Sequence, residues 1–252
     1  MASDQFTDIA KHYDALMAGV PYRYWVEYIE DILRKFGSKP DKILDAACGT
    51  GNVTEIFAEF GYDVVGADIS PGMIEVAKEK TGEWGPVEYL VQDMCHMDLG
   101  RRFDLVVSLF DSLNYITEPE HLQMAMDCVT AHLKPGGLFI FDVNTRYALS
   151  HGFFNQTNLG SRQYPKYVWS SEFDREKRLC TVTMVFEVLE GTEKRQFTEI
   201  HRQTAYAPEE LLGMLRKAGL EPLDTYHAYT LKKPHRRSDR IFFVARRPAD
   251  ND

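Results

Sequence analysis

The chain is 252 residues long, with 44% hydrophobic, 12% aromatic and 27% charged residues, which excludes a disordered, low-complexity or fibrous protein and allows a sizeable core. A formal net charge of -9 excludes a broad grip on a phosphate backbone, which needs clustered Lys and Arg, so no nucleic-acid partner is expected. The short basic runs Lys232 to Arg237 and Ala245 to Arg247 read as solvated surface.

In chain order, the opening stretch MASDQFTDIAKHYD has neither an apolar core nor a cleavage-like pattern, and no apolar run reaches bilayer-spanning length. Neither export nor a membrane partner is expected. Cys48, Cys95, Cys128 and Cys180 are far apart, without CxxC or zinc-type Cys/His spacing, and point to a reducing cytoplasm. From Tyr22, the residues Trp25, Ile29, Ile32, Leu33 and Phe36 recur at helical spacing until Gly37 stops the pattern. The run ILDAACGTGNVT (Ile43 to Thr54) then leads an apolar strand into a glycine turn.

A helix near Val53 to Phe60, the strand DVVGAD, a helix near Pro71 to Lys80, the strands VEYLVQD and FDLVVSLF, a helix near Pro119 to Leu133 and the strand GGLFIFDV follow. Such alternation predicts an α/β fold, with a parallel sheet covered by helices on both faces. Between about Lys166 and Tyr206 the pattern turns strand-like, which predicts a small antiparallel β lid inserted after the fifth strand. A helix over 208–218 and strands near Leu223 to Thr230 and Arg240 to Arg247 close the chain. The expected organisation is an N-terminal helical cap (1–40), a ligand-binding core (41–150), the lid with the substrate region (151–207) and a C-terminal part of the core (208–252).

The glycine turn has Gly49 and Gly51 followed by Thr54, so it lacks the third small residue of the dinucleotide fingerprint. Beside it, Asp45 would repel a pyrophosphate and attract an ammonium group. S-adenosylmethionine carries an ammonium, a sulfonium, a ribose diol and an adenine, and each has a candidate receptor. The backbone of Ala47, Gly49 and Gly51 allows close approach; Asp68, about twenty residues on, suits the ribose. Asp93 suits the adenine amino group, the Met94 amide the ring, and Ile69, Met73 and Leu109 the adenosine faces. One acid at a strand end reads as a cap or a surface charge, but three at successive strand ends point to one ligand.

The segments DAACGTG, GADIS, QDM, FDLVVSLFDSLNYI and LKPGGLFIFDVN resemble the class I S-adenosylmethionine-dependent methyltransferases over nearly the whole chain. That resemblance implies a Rossmann-like, seven-stranded, mainly parallel sheet with an antiparallel last strand, and S-adenosylmethionine at its carboxyl edge, leaving as S-adenosylhomocysteine. YDALM, PYRYW and HRQTAYAPEEL are similar to bacterial small-molecule enzymes that include sugar N-methyltransferases. In these the N-terminal segment closes over the cofactor, so the resemblance sets Tyr13 and Trp25 beside its methionine end; Trp25 reads equally as a core anchor of its helix.

The expected reaction is methyl transfer to an N or O atom of a small polar metabolite by a monomer or homodimer. His201 is the expected base, with Tyr13 as a second catalytic residue. Glu199 lies on the same strand face as His201. Asn114, Tyr115, Asn144 and Tyr147 border the expected cleft, and Trp169 roofs it. Asp111, Asp142 and Asn144 invite a magnesium reading, but the direction of Asp111 is unset and no metal is expected. Missing [DN]PP[YF] and Pro-Cys motifs argue against base methylation. A non-catalytic cofactor-binding sensor or scaffold stays open, as does an NAD(P)-dependent oxidoreductase, against which Asp45 weighs.

Overall fold

The computed structural model describes residues 6, 8–80 and 87–249; the start of the expected cap and the end of the C-terminal part lie outside them. The apolar runs of the first half form β1 (Lys42–Ala46), β2 (Asp63–Asp68), β3 (Glu88–Val91), β4 (Phe103–Ser108) and β5 (Leu133–Asn144). With β10 (Glu221–His227) and β11 (Arg240–Arg246) they make a seven-stranded sheet of order β3-β2-β1-β4-β5-β11-β10, in which β11 runs antiparallel to both neighbours. The last strand is therefore antiparallel, as the sequence resemblance implies.

Nearly continuous burial along β4 and β5 follows from cover on both faces. On one face, α2 (Tyr22–Lys35) and α3 (Asn52–Glu59) pack Ile29, Leu33 and Phe57 against Ile43, Leu105 and Ile140. On the other, α5 (Pro119–His132) and α7 (Pro208–Lys217) pack Leu122, Met126 and Leu211 against Val106, Phe139 and Phe243. Adjacent strand residues thus serve opposite cores. Among the described residues, three further short or peripheral α-helices are α1 (Tyr13–Leu16), α4 (Pro71–Lys80) and α6 (Arg146–Ser150).

Between β5 and α7 the strands β6 (Gln156–Thr157), β7 (Lys166–Asp174), β8 (Leu179–Glu190) and β9 (Glu193–Thr204) form a separate antiparallel sheet. Alternation along β8 buries Cys180, Val182, Met184, Phe186 and Val188 and leaves the intervening residues outward. The inner face packs with Ile9, Ala10 and Met73, so the lid and the N-terminal segment share one apolar cluster.

Tyr89 of β3 sets the backbone beneath the glycine turn. A Cβ on Gly66 would lie 2.6 Å from its ring and 3.0 Å from Cys48 Sγ, while one on Gly51 would lie 2.3 Å from its hydroxyl oxygen. Two glycines therefore leave the space that this ring fills. We expect Gly66→Val to destabilise the fold by about 1–3 kcal/mol through overpacking, read as a lower urea midpoint at unchanged slope. A wild-type midpoint would contradict this close packing.

Candidate active site

Strand order reverses between β1 and β4, and in open α/β sheets the crevice for a ligand opens at such a point, beyond the carboxyl ends. Here a cavity of about 560 Å³ is walled by the ends of β1, β2 and β4, the N-terminal segment and the inner face of the lid. Its volume is that of a small-molecule site.

Asp45, at the end of β1, is 2% exposed and accepts a hydrogen bond from Thr54 Oγ1 at 2.6 Å. Burial, with a smaller contribution from the nearby charge of Asp68, pushes its carboxyl up to about 7 against the Thr54 bond. Asp68 at the end of β2 accepts the amides of Gly49 and Ser70, both at 2.8 Å, yet burial still raises its pKa. Those amides fix the carboxylate's orientation and leave its remaining lone pairs for a ligand diol. Asp93, after β3, accepts from the Cys95 amide at 2.9 Å and pairs with His96 at 3.1 Å. Burial pushes it upward, but these contacts outweigh burial and hold it below the usual range. All three acids line the cavity, as do Ala47, Gly49, Ile69, Met73, Met94 and Leu109.

After β4 the chain makes a tight turn in which two non-glycine residues, Phe110 and Asp111, have φ of 67° and 52°. Their successive amides donate to the two oxygens of Asp142, at 2.8 and 3.0 Å. Arg240 of β11 then bridges Asp142 and Asp111, and Gln203 Nε2 donates to Asp111 at 2.6 Å. Burial lifts Asp111 to about 6, with Arg240 opposing the rise and Asp142 adding to it. The cation between the two acids considered for magnesium is thus a guanidinium.

His201 of β9 is 1% exposed and lines the cavity. Its Nε2 lies 2.7 Å from Glu199 Oε2 and its Nδ1 lies 3.3 Å from the Tyr115 hydroxyl. Glu199 also accepts the amides of Ile9 (2.9 Å) and Phe6 (3.2 Å), and the Phe6 ring packs on His201 with centroids 4.4 Å apart. At its other end the N-terminal segment is held by Asp14, which accepts from Thr50, Asn52 and Lys80 at the glycine turn and α4. Tyr13 lies between these anchors and lines the cavity; its hydroxyl makes no hydrogen bond to a described residue, and burial holds its pKa well above the usual value. Trp169, tilted on Tyr167 at 4.9 Å, also lines the cavity.

Six expected site residues lie outside the cavity lining. Trp25 stacks on Tyr229 (5.3 Å) and packs on Phe110 (4.5 Å), while Tyr22, almost one helical turn earlier, takes the place at the cavity. Gly51 faces Tyr89. Asn114 and Asn144 bond each other: Asn114 Nδ2 donates to the carbonyls of Asn144 and Thr204, and its Oδ1 accepts the Asn144 amide. Tyr147 turns away because α6 buries its neighbours Ala148 and Leu149, and it packs on His151 and Phe153 instead. Glu199 sits behind His201, occupied by two amides and the imidazole. Sequence reasoning missed Arg240, Gln203, Phe6 and Asp14. HRQTAY already carried Gln203 two residues after His201, on the same strand face; the other three carry no comparable local signal.

A methyltransferase-domain family model matches residues 43–137. YqeM of Bacillus subtilis (strain 168) is 32% identical over 243 residues, covering 96% of this chain and 97% of its own. A crystal structure of an S-adenosylmethionine-dependent methyltransferase from Clostridium acetobutylicum ATCC 824 superposes with a TM-score of 0.85 and 31% identity, covering 96% of this chain and 98% of that one. The dTDP-3-amino-3,4,6-trideoxy-alpha-D-glucopyranose N,N-dimethyltransferase of Streptomyces venezuelae is 30% identical over 218 residues, covering 84% of this chain and 90% of its own.

The raised pKa of Asp45 predicts that a cationic ligand beside it would bind in a pH-dependent way. Below about 7 the folded protein holds a proton that the unfolded chain has already released above its ordinary value near 3.8. The folded state therefore binds more protons across that window, and this group's stabilising contribution falls as pH rises through 7. S-adenosylmethionine, with its ammonium and sulfonium, is expected to bind better to the ionised acid. Calorimetry should show affinity rising up to about tenfold per pH unit below pH 7 and levelling above it, with Asp45→Asn flattening the profile. A flat wild-type profile would contradict the coupling.

Proposed function

Because the chain belongs to the S-adenosylmethionine-dependent methyltransferases, we propose that it methylates a nitrogen or oxygen of a small metabolite, with Tyr115 and His201 taking the acceptor's proton. The observation that carries this reading is that His201 lines the same enclosed space as Asp45 and Asp68. Acids suited to a cationic cofactor and a chain suited to moving a proton thus face one cavity. The named amino-sugar acceptor of the Streptomyces venezuelae relative supports a small-molecule substrate.

Bound S-adenosylmethionine supplies a methyl group already activated by its sulfonium, so the protein's main tasks are alignment and exclusion of water. Asp68 takes the ribose hydroxyls, and Asp45 faces the ammonium directly or through water. Asp93 and the Met94 amide receive the adenine, between Ile69, Met73 and Leu109. Glu199 accepts the Nε2 proton of His201 and so fixes the tautomer with a bare Nδ1. This nitrogen accepts from Tyr115, whose oxygen can take a proton as its own passes to His201. Tyr13, with an uncommitted hydroxyl on the cavity wall, orients the acceptor. Phe6 and the lid keep water from the centre. The free thiols Cys48, Cys95, Cys128 and Cys180 support a reducing, cytoplasmic setting, and among the described residues no helix is long and apolar enough to cross a membrane.

A metabolite screen that follows S-adenosylhomocysteine release tests this function directly; a protein that binds the cofactor yet turns over nothing would be a sensor. With an acceptor in hand, His201→Ala should keep cofactor affinity and lower kcat by about 10²-fold, the lower end of general-base contributions. Full turnover by that variant would remove His201 from the mechanism.

A further inference from the structure

The acceptor side of the cavity offers almost no charge to a ligand. The lid contributes Tyr167, Trp169, Val182, Met184 and Phe186, and Phe6 closes the space from the N-terminal segment. The charged and amide groups behind this surface are committed to one another, while the buried Trp169 Nε1–H has no hydrogen-bond partner among the described residues. Arg240 is bound by Asp111 and Asp142, and Gln203 donates to Asp111 while accepting from Asn144. Among the described residues, no lysine and no second arginine lines the cavity. Across from this surface, Asp45, Asp68 and Asp93 make the interior negative. The same volume of about 560 Å³ has to hold the cofactor as well as the acceptor.

Resting on the methyltransferase function above, we propose that the methyl acceptor is a compact, phosphate-free amine with an apolar, aromatic or branched aliphatic body. A phosphate would enter a low-dielectric space beside carboxylates with no free cation to receive it. An amine arrives as an ammonium, which the faces of the surrounding rings attract. Its proton passes by way of Tyr115 to His201 Nδ1 and then to solvent. The freed lone pair forms the N–C bond as the C–S bond breaks, with that bond's electron pair returning to sulfur. This chemistry departs from the dTDP-linked amino sugar named for the Streptomyces venezuelae relative, which carries a diphosphate.

The test compares 2-phenylethylamine and a panel of short arylalkyl- and branched alkylamines with a dTDP-linked amino sugar, after calorimetry has established S-adenosylmethionine binding. At least one apolar amine should exceed the nucleotide sugar in kcat/KM by roughly tenfold or more. Met184→Lys, which sets a like charge in the acceptor surface, should lower that amine's kcat/KM by roughly tenfold at retained cofactor affinity. Preference for the nucleotide sugar overturns the proposal. So does turnover of other nitrogen or oxygen acceptors without any of the amines, and that outcome leaves the broader function standing. Cofactor binding with no turnover of any compound sinks both.

Discussion

Arg240 is one cation shared by two buried carboxylates, and much of the site's architecture depends on it. Asp142 of β5 already spends both oxygens on the amides of Phe110 and Asp111, whose left-handed backbones cost roughly 1–3 kcal/mol each. Without the guanidinium, Asp142 and Asp111 would be unpaired like charges in a low-dielectric interior; removing one partner of such a cluster typically costs about 3–5 kcal/mol. With it, the turn after β4, the middle of the sheet and the first residue of β11 are locked together. Gln203 extends the lock to the lid through Asp111. The antiparallel strand brings this cation to the site, since Arg240 pairs in register with Asn144 at the carboxyl end of β5.

The two sides of the cavity differ in how their charge is balanced. Around Arg240 every acid has a cation or a set of amides. Around the glycine turn, Asp45 accepts from the Thr54 hydroxyl and Asp68 from backbone amides, and burial raises the pKa of both. A site left short of positive charge before its ligand arrives gains most from a cationic ligand, and its dipoles need little rearrangement on binding. The N-terminal segment completes the enclosure because it is fixed at two points, by Asp14 to the glycine turn and by its Phe6 and Ile9 amides to Glu199 of the lid. The segment therefore joins the wall around the glycine turn to the wall formed by the lid.

The order of elements was legible because the apolar period changes cleanly along the chain. Tyr22–Lys35 and Pro71–Lys80 are helices within a residue of their expected limits, and the three long lid strands begin at Lys166 as expected, although the two-residue β6 (Gln156–Thr157) pairs onto them ahead of that limit. Asp45, Asp68 and Asp93 were legible as a group because parallel strands deliver their carboxyl ends to one edge. Trp25 and Tyr22 show the limit. They share a helix face, and which ring reaches the cavity depends on where α2 crosses the sheet, a tertiary fact. Arg240 is harder still, because its partners lie 98 and 129 residues away in sequence. At the start of a strand, a lone arginine carries no sign of such pairing.

Asn114, Asn144 and Glu199 sharpen what makes a polar residue near a cavity a binding residue. All three are at the expected place in the fold, yet each is already hydrogen-bonded to buried neighbours. Asn114 gives both amide protons to carbonyls and accepts the Asn144 amide; Asn144 gives its side-chain amide to Gln203; Glu199 holds two backbone amides and His201. Turning any of them toward a ligand would orphan buried partners, a loss of about 1–3 kcal/mol for each neutral group. Among the described residues, the groups with capacity left include the Tyr13 hydroxyl, the Trp169 Nε1–H, Asp45, Asp68 and the Tyr115 oxygen. Chemistry at this site is carried by the polar atoms the fold has not already satisfied, and sequence shows residue types without showing which atoms those are.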